Sequence, residues 1–508
     1  MSLPGGPATI VRHQILRMLS SVERARNHRQ VLRHVAQDKE RRRKANPAWW
    51  RDEPRWYSGS TEPRQHNRVT PLIDGESFFT ALEQALSEAE NYVYIIGWCL
   101  TPYIPLGRED GDALVRSRLL TLLSEVAERV PVRVLLWSGA GALIQPTVKS
   151  VEAVQATLEN EGKGDLLCRL DRSAHPTHCH HQKAIVIDGR KAFVGGMDLT
   201  TFSGDRWDRS SHPLRAGQNW HDVQVLIEGE AVADVEHNFR QRWHAVTDDN
   251  ALPSAKAPRF EAQWQTQVQI VRTVPSKVYD FAPDGEFGIH HFYVQALRRA
   301  RRLIYIENQY IWSPYVMNAL IAAMNAPHSE PFRIVLVLPA FAGDGRWDND
   351  KHVAKLREAD GGRGIVSIYS LYTSGPNMGE KPFTYRAIYL HAKVAVIDDE
   401  WLTVGSANLN NRGLVTDGEI NAVVHDANLA ERVRVALWAE HLGLHESEVA
   451  KTSTLDLIDR VWPGQADENA AIMRQANRPL VSSVHSYVVG RRPSDLVLED
   501  AQSLTFEH

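Results

Sequence analysis

Most of this chain is written twice. Ala85-Leu86, Ala89 and Val93-Tyr94-Ile95 return as Ala296-Leu297, Ala300 and Ile304-Tyr305-Ile306, each shifted by 211 residues. Both stretches read as an amphipathic helix feeding a buried strand. Val132-Arg133-Val134-Leu135-Leu136 recurs as Phe332-Arg333-Ile334-Val335-Leu336 at a shift of 200, and the offset recovers to 210 further on. An offset that drifts through loop insertions and then recovers marks a diverged tandem duplication. The pattern predicts an α/β chain of two tandem, duplicated α-β-α units, near 70–250 and 265–450. Their mixed β-sheets should be related by a pseudo-twofold. A basic arm and aromatic linker (1–69) and a C-terminal extension (451–508) flank them.

The recovered offset falls on HHQKAIVIDGRKAFVGGMDL (180–199) and LHAKVAVIDDEWLTVGSANL (390–409). His181/His391, Lys183/Lys393, Asp188/Asp398, Gly195/Gly405, Gly196/Ser406 and Asp198/Asn408 all align 210 apart. In His-x-Lys the two side chains share one face of an extended strand, because side chains alternate with period 2. Ala184–Ile187 and Val394–Ile397 carry that strand into a core. Asp188-Gly189 and Asp398-Asp399 are turn chemistry, and Phe193–Gly196 and Leu402–Ser406 return. Each motif is therefore a hairpin with His and Lys at one end and small residues opposite. A single His-x-Lys-x4-Asp match carries little weight. Two with matching flanks, at the offset of a whole-domain repeat, point to one active site built from both halves.

The remaining features bound the function. Net charge is −4, with 15 Lys/Arg against 6 Asp/Glu in residues 1–70, so residues 71–508 sum to −13. That balance speaks against a nucleic-acid groove, which would show a basic stripe, although the basic arm keeps a nuclease in contention. Cys99, Cys168 and Cys179 are a poor disulfide framework and fit a reducing compartment. No signal peptide or membrane-spanning run is legible. The expected location is cytoplasmic or peripheral to a membrane, with signal-independent export left open. Residues 8–44 read as a basic helix with an apolar stripe at Ile15, Leu16, Leu19 and Val22, either packed on the body or lying at a membrane or partner surface. Trp49, Trp50, Trp56 and Tyr57 read as a clasp on the core rather than a ligand platform.

The paired motif, H-x-K-x4-D-x6-G-[GS]-x-[ND], resembles the signature of the phospholipase D superfamily over residues 70–450. Finer features resemble its phosphatidylcholine-cleaving branch. These are HHQK at 180–183, Gly195-Gly196-Met197-Asp198-Leu199, Trp220-His221-Asp222, Gly229, Phe239-Arg240-Gln241-Arg242-Trp243 and the strand Ile304–Tyr310. The resemblance implies that His181 attacks phosphorus to form a phosphohistidine. His391 then acts as general acid and base, neutral imidazole and imidazolium both being accessible near pH 7. It implies that Lys183, Lys393 and Asn408 stabilise the non-bridging oxygens in place of a metal, so no cofactor and no metal ion is expected.

Each histidine needs a carboxylate on Nδ1. Asp188 and Asp398 lie too far along the strand to serve their own histidines and are expected to hold the turns, with Gly195, Gly196, Asp198, Gly405 and Ser406 structural. The expected orienting acids are Asp222 for His181 and Glu419 for His391, each the acid that follows its histidine within the same half. The tract His175-x2-His178-Cys179-His180-His181 has metal-like spacing, but the resemblance assigns His181 to catalysis. Glu307-Asn308-Gln309-Tyr310 reads as support at the end of a buried strand.

The expected reaction is hydrolysis of a glycerophospholipid at a membrane surface to phosphatidic acid and a head-group alcohol, with transphosphatidylation to other alcohols. No obligate nucleic-acid partner is expected, and the chain should be a monomer with an internal pseudo-dimer. The competing readings are a nuclease or other phosphodiesterase on the same scaffold, a cardiolipin-synthase-like transferase, and a lipid-binding scaffold with a relic site. Loops 200–221, 340–364 and 372–388 are the expected sources of head-group selectivity.

Overall fold

A computed structural model describes residues 61–490 apart from 109–110, 141–145, 174–177, 203, 248–251, 258–259, 343–345 and 378–381, together with residues 29 and 31–33. The aromatic segment 48–57 lies outside the described residues. So does the basic helix, except for residues 29 and 31–33, which are helical, with Val31 buried in the core of the second half.

The first half contributes β1 (Arg64–Ile73), α1 (Asp74–Ser87), β2 (Val93–Gly97), β3 (Val132–Trp137), β4 (Leu166–Asp171), β5 (Ala184–Ile187), β6 (Lys191–Gly195), β7 (Val223–Gly229) and α2 (Val232–Val246). The second contributes β8 (Thr266–Val274), α3 (Gly288–Arg299), β9 (Leu303–Asn308), β10 (Arg333–Val337), β11 (Val366–Pro376), β12 (Lys393–Ile397), β13 (Trp401–Gly405), β14 (Glu419–His425) and α4 (Ala427–Leu442). The strands pair in the order β4-β3-β2-β5-β6-β7-β1 and, in mirror order, β8-β14-β13-β12-β9-β10-β11. In each half β2 and β9 run parallel to their outer neighbours, β3 and β10, and antiparallel to the motif strands β5 and β12. Their apolar, β-branched runs, such as Val93–Ile96 and Ile334–Val337, are buried throughout, as parallel strands covered on both faces must be.

The mirrored order is the duplication seen in three dimensions. The structure refines one detail, because the two sheets are not separate. β1 also pairs with β8, joining them edge to edge. The inner faces then fold against each other, with β6 packing on β13 and β14. Tyr94, Val194 and Val225 from one half share a single core with Val394, Val404 and Ala422 from the other, closed by Phe239 and Trp243 of α2 and Leu437 and Trp438 of α4. The two halves are therefore joined through one hydrophobic core, whose burial favours their association.

Residues 451–508 had no legible role. Within them, Val484–Ser486 adds to the outer edge of β11 and a helix, Trp462–Gln475, packs beside it. Two of the expected loops are structured. Arg346–Asp360 is a helix, and residues 383–387 form a strand returning along β11.

The motif aspartates explain how the hairpins are held. Asp188, at φ +57°, accepts the backbone N–H groups of Glu90 (2.8 Å), Asn91 (2.6 Å) and Tyr92 (3.0 Å). Asp398, also at φ +57°, accepts those of Arg301 (2.8 Å), Arg302 (2.8 Å) and Leu303 (2.9 Å). Each thus ties its turn to the start of the neighbouring strand. Asp188→Ala strands three donors near the core and is expected to lower stability by about 3 kcal/mol. The check is the urea midpoint at unchanged slope, and a loss under about 0.5 kcal/mol would contradict this role.

Candidate active site

The two motifs open into one pocket of about 460 Å³, lined by His181, His391, Asp198, Asn408 and Glu419 together with Trp98, Arg206, Gln309, Tyr310 and Arg412. A tryptophan stands edge-on to each histidine ring, Trp98 at 6.2 Å from His181 and Trp220 at 5.3 Å from His391. The His181 side chain is 15% exposed and that of His391 only 2%, so the first is the more accessible from the pocket.

The orienting acids are exchanged between the halves, which corrects the expected assignment. His181 Nδ1 lies 3.0 Å from Glu419 Oε1, and His391 Nδ1 lies 2.6 Å from Asp222 Oδ2. The reason is in the backbone. The His181 N–H bonds to the Gly418 carbonyl at 2.8 Å, and Gly418 N–H bonds to the Cys179 carbonyl, so Glu419 is delivered to His181. Likewise Tyr389–Leu390 pairs in parallel with Trp220–His221, and the His391 N–H reaches the His221 carbonyl at 2.8 Å, delivering Asp222 to His391. Sequence proximity favoured the acid in the same half, whereas the pseudo-twofold places the motif of one half against the acid-bearing strand of the other.

The small motif residues make room for these acids. A Cβ on Gly196 would stand 2.1 Å from Asp222 Oδ1, and one on Gly195 or Gly405 would meet Gln224 or Asn421. Ser406, aligned with Gly196, donates its hydroxyl to Glu419. Gly196→Ala is expected to displace the Asp222 carboxylate and cut kcat about a hundredfold, because angstrom-scale misplacement of catalytic groups costs that much, with KM little changed. A variant with wild-type kcat would show that the carboxylate has another way to reach His391.

Lys183 Nζ contacts Asp198 Oδ2 at 3.0 Å and donates to the His181 carbonyl at 2.9 Å. Lys393 Nζ donates to the His391 carbonyl and reaches Gln309 Oε1 at 3.5 Å. Lys183 thus has a carboxylate partner in Asp198, and the aligned position in the second half is Asn408. Asp198 also accepts the Trp98 N–H at 2.9 Å, so it anchors a pocket wall as well as a lysine.

Burial, followed by the nearby charges of Lys183 and Lys393, holds His181 well below the ordinary imidazole range. Burial alone would raise Asp222, but His391 and Lys393 outweigh it and keep this carboxyl below its usual value. Glu307 lies beneath the site rather than in it, bonded to His221 at 2.8 Å and His441 at 2.9 Å. Of the histidine-rich tract, His175 lies outside the described residues, and His180 faces Gln182 (3.3 Å) and Asp171 (4.0 Å) rather than joining His181.

Trp98, Arg206 and Arg412 were missed in the sequence. Trp98 and Gln309 follow their strands at the common 211-residue offset, and a cation comes after each motif at different spacings, Arg206 eight residues after Asp198 and Arg412 four after Asn408. Arg206 lies 4.4 Å over the Trp220 ring, and Arg412 pairs with Asp417 at 2.9 Å.

Residues 85–219 and 215–336 match the profile of the family described as Phospholipase D, and residues 293–439 match that described as Cardiolipin synthase, PLD-like domain. The chain belongs to the phospholipase D superfamily. Among its relatives are phospholipase D alpha 4 of Arabidopsis thaliana, 25% identical over 74% of this chain, and phospholipase D A of Dictyostelium discoideum, 27% identical over 75%. This chain spans 66% and 36% of the lengths of those two proteins. Cardiolipin synthase A of Pseudomonas syringae is 26% identical over 75% of this chain and 70% of its own length. The fold is shared with phosphatidylserine synthase of Haemophilus influenzae, at 11% identity and a TM-score of 0.51 over 82% of this chain and 97% of that one. Among the described residues, no helix is long and apolar enough to cross a membrane.

Proposed function

We propose that this protein is a phospholipase-D-type phosphodiesterase. It would cleave the distal phosphodiester of a glycerophospholipid to phosphatidic acid and a head-group alcohol, and pass the phosphatidyl group to other primary alcohols when they are present. The observation that carries this reading is the pair of histidines in one pocket, each oriented by a carboxylate from the opposite half and accompanied by a lysine. A neutral His181, with its Nδ1 proton directed to Glu419, has its Nε2 lone pair for attack on phosphorus. His391, held by the anionic Asp222, protonates the departing alkoxide. It then takes a proton from the water or alcohol that releases the phosphoryl group from His181. Lys183, Lys393 and Asn408 would stabilise the charge on the non-bridging oxygens as it builds. With both histidines in one chain, a monomer at a membrane surface suffices.

The test is turnover of a mixed-lipid vesicle panel with and without a primary alcohol. Release of head group in water, and phosphatidyl-alcohol in its presence, is the expected result. No release and no transfer on any lipid, with His181-dependent nicking of plasmid DNA instead, would replace this reading by a nuclease.

The depressed His181 also sets a pH dependence. The nucleophile works deprotonated, so its activity persists as pH falls below the ordinary imidazole value of 6.5 and is lost only on passing the lowered value. The acid limb of kcat/KM should therefore lie below pH 6.5. A limb above it would mean that His181 is not the attacking group.

A further inference from the structure

Beneath His391 lies a second constellation that the reaction does not use. Asp74 at the start of α1, His212, His221 and Glu440 of α4 converge there, each at most 5% exposed at the side chain. Their ligand atoms all lie within 4.8 Å of one another. His221 Nδ1 is 3.0 Å from Asp74 Oδ1 and 3.0 Å from Glu440 Oε1. His212 Nε2 is 3.4 Å from Asp74 Oδ2 and 3.2 Å from Glu440 Oε1. Metal–ligand bonds of about 2.0–2.1 Å in a tetrahedron put neighbouring donor atoms about 3.3 Å apart, and each histidine nitrogen has an oxygen of Asp74, a different one for each ring, and Glu440 Oε1 near that distance.

We propose that Asp74, His212, His221 and Glu440 form a buried structural site for a divalent transition-metal ion, Zn2+ by its donor set, behind the catalytic centre. One hydrogen bond, from His212 Nε2 to Glu440 Oε1 at 3.2 Å, ties part of the cluster together but does not engage the other facing atoms. His221 Nδ1 and Asp74 Oδ2 are both buried and make no hydrogen bond, although each has an oppositely suited atom within ion-pair distance. The histidine ring nitrogens that face outward are backed by carboxylates. Glu307 Oε2 lies 2.8 Å from His221 Nε2, and Asp208 Oδ2 lies 3.3 Å from His212 Nδ1. His221 thus has the arrangement of a metal-bound histidine, the outer N–H on a carboxylate and the inner nitrogen facing the site, while His212 Nδ1 faces Asp208 at ion-pair distance. Two carboxylates and two neutral imidazoles leave the site at −2, which a divalent ion cancels. Binding releases to solvent any proton that the inner nitrogens carry.

None of the four residues lines the substrate pocket, so the ion would not touch the phosphate. Its role would be positional. The Asp74 N–H donates to the Asp222 carbonyl at 2.9 Å, and the Asp222 N–H reaches Asp74 Oδ1 at 3.3 Å. Fixing Asp74 therefore fixes the backbone of the residue that orients His391.

The test is the metal content of the full-length chain, purified without chelator and dialysed against trace Zn2+. About one equivalent is expected, retained by His181→Gln and lost by Glu440→Gln and His212→Gln with the fold intact by circular dichroism. If either variant fails to fold, Co2+ loaded into the chelator-stripped wild-type chain decides, and the intense visible bands of tetrahedral Co2+ are expected. Overturning results would be a chain that takes up no Zn2+, metal retained in both cluster variants, or Co2+ that is unbound or octahedral.

Discussion

Replacing His181 with Asn is expected to lower turnover of lipid substrate by about 10⁴-fold or more, as loss of a nucleophile does in comparable covalent sites. The side chain is partly open to the pocket and holds one acid, Glu419, which keeps its bond from Ser406. The fold should therefore survive, with stability changing by no more than about 2 kcal/mol. His391→Asn should differ in kind. It removes the proton donor and the later base but leaves the attacking group. On a substrate with a leaving group as good as p-nitrophenolate, it should still give a first-turnover burst and then stall. His181→Asn should give no burst on either substrate. Rapid-quench kinetics on both variants distinguishes these patterns, and a burst from His181→Asn would place the attacking group elsewhere.

The exchanged acids make the second large effect. Asp222→Asn should cost about 10³–10⁴ in kcat, the scale seen when an orienting carboxylate becomes an amide and the wrong tautomer results. It should behave like loss of His391, with a normal burst and stalled release, because Asp222 lies 2.6 Å from His391. Glu419→Gln should behave like loss of His181, with a slow or absent burst, because Glu419 lies 3.0 Å from His181. Pairing within each half would produce the reverse assignment. Measuring burst and steady state on both variants therefore tests the crossing itself and not only the importance of the acids.

The contrast between what was legible and what was not follows from the range of the interactions. The duplication, the α/β class and the two hairpins were readable because they rest on local periodicity and a repeated offset. β5 begins where the apolar run after Lys183 begins, and β12 begins one residue earlier, at Lys393 itself. Asp188 and Asp398 were readable as turn residues from the reach of an extended strand, although not as acceptors for backbone 95–98 residues away. The acids Asp222 and Glu419 were identifiable by type and neighbourhood, but their partners were not. Which strand edge meets which motif is decided by the β1–β8 junction and the folding of the two sheets face to face. Nothing in a one-dimensional pattern records that choice. The cluster of Asp74, His212, His221 and Glu440 was invisible for the same reason, since it gathers residues spread over 366 positions (440 − 74). Trp98, Arg206 and Arg412 belong to an intermediate case, because their positions repeat or follow the motif but their chemistry differs between the halves.

The central claim is that two crossed half-sites make one phosphodiesterase centre in which His181 carries the phosphoryl group. The most direct measurement is to quench His391→Asn on a p-nitrophenyl phosphodiester within its first turnover and map the modified residue by mass spectrometry. The account predicts an acid-labile, base-stable phosphoryl adduct on His181 and none on His180 or His178. An adduct on another residue, or a burst of p-nitrophenol with no protein adduct, would contradict it.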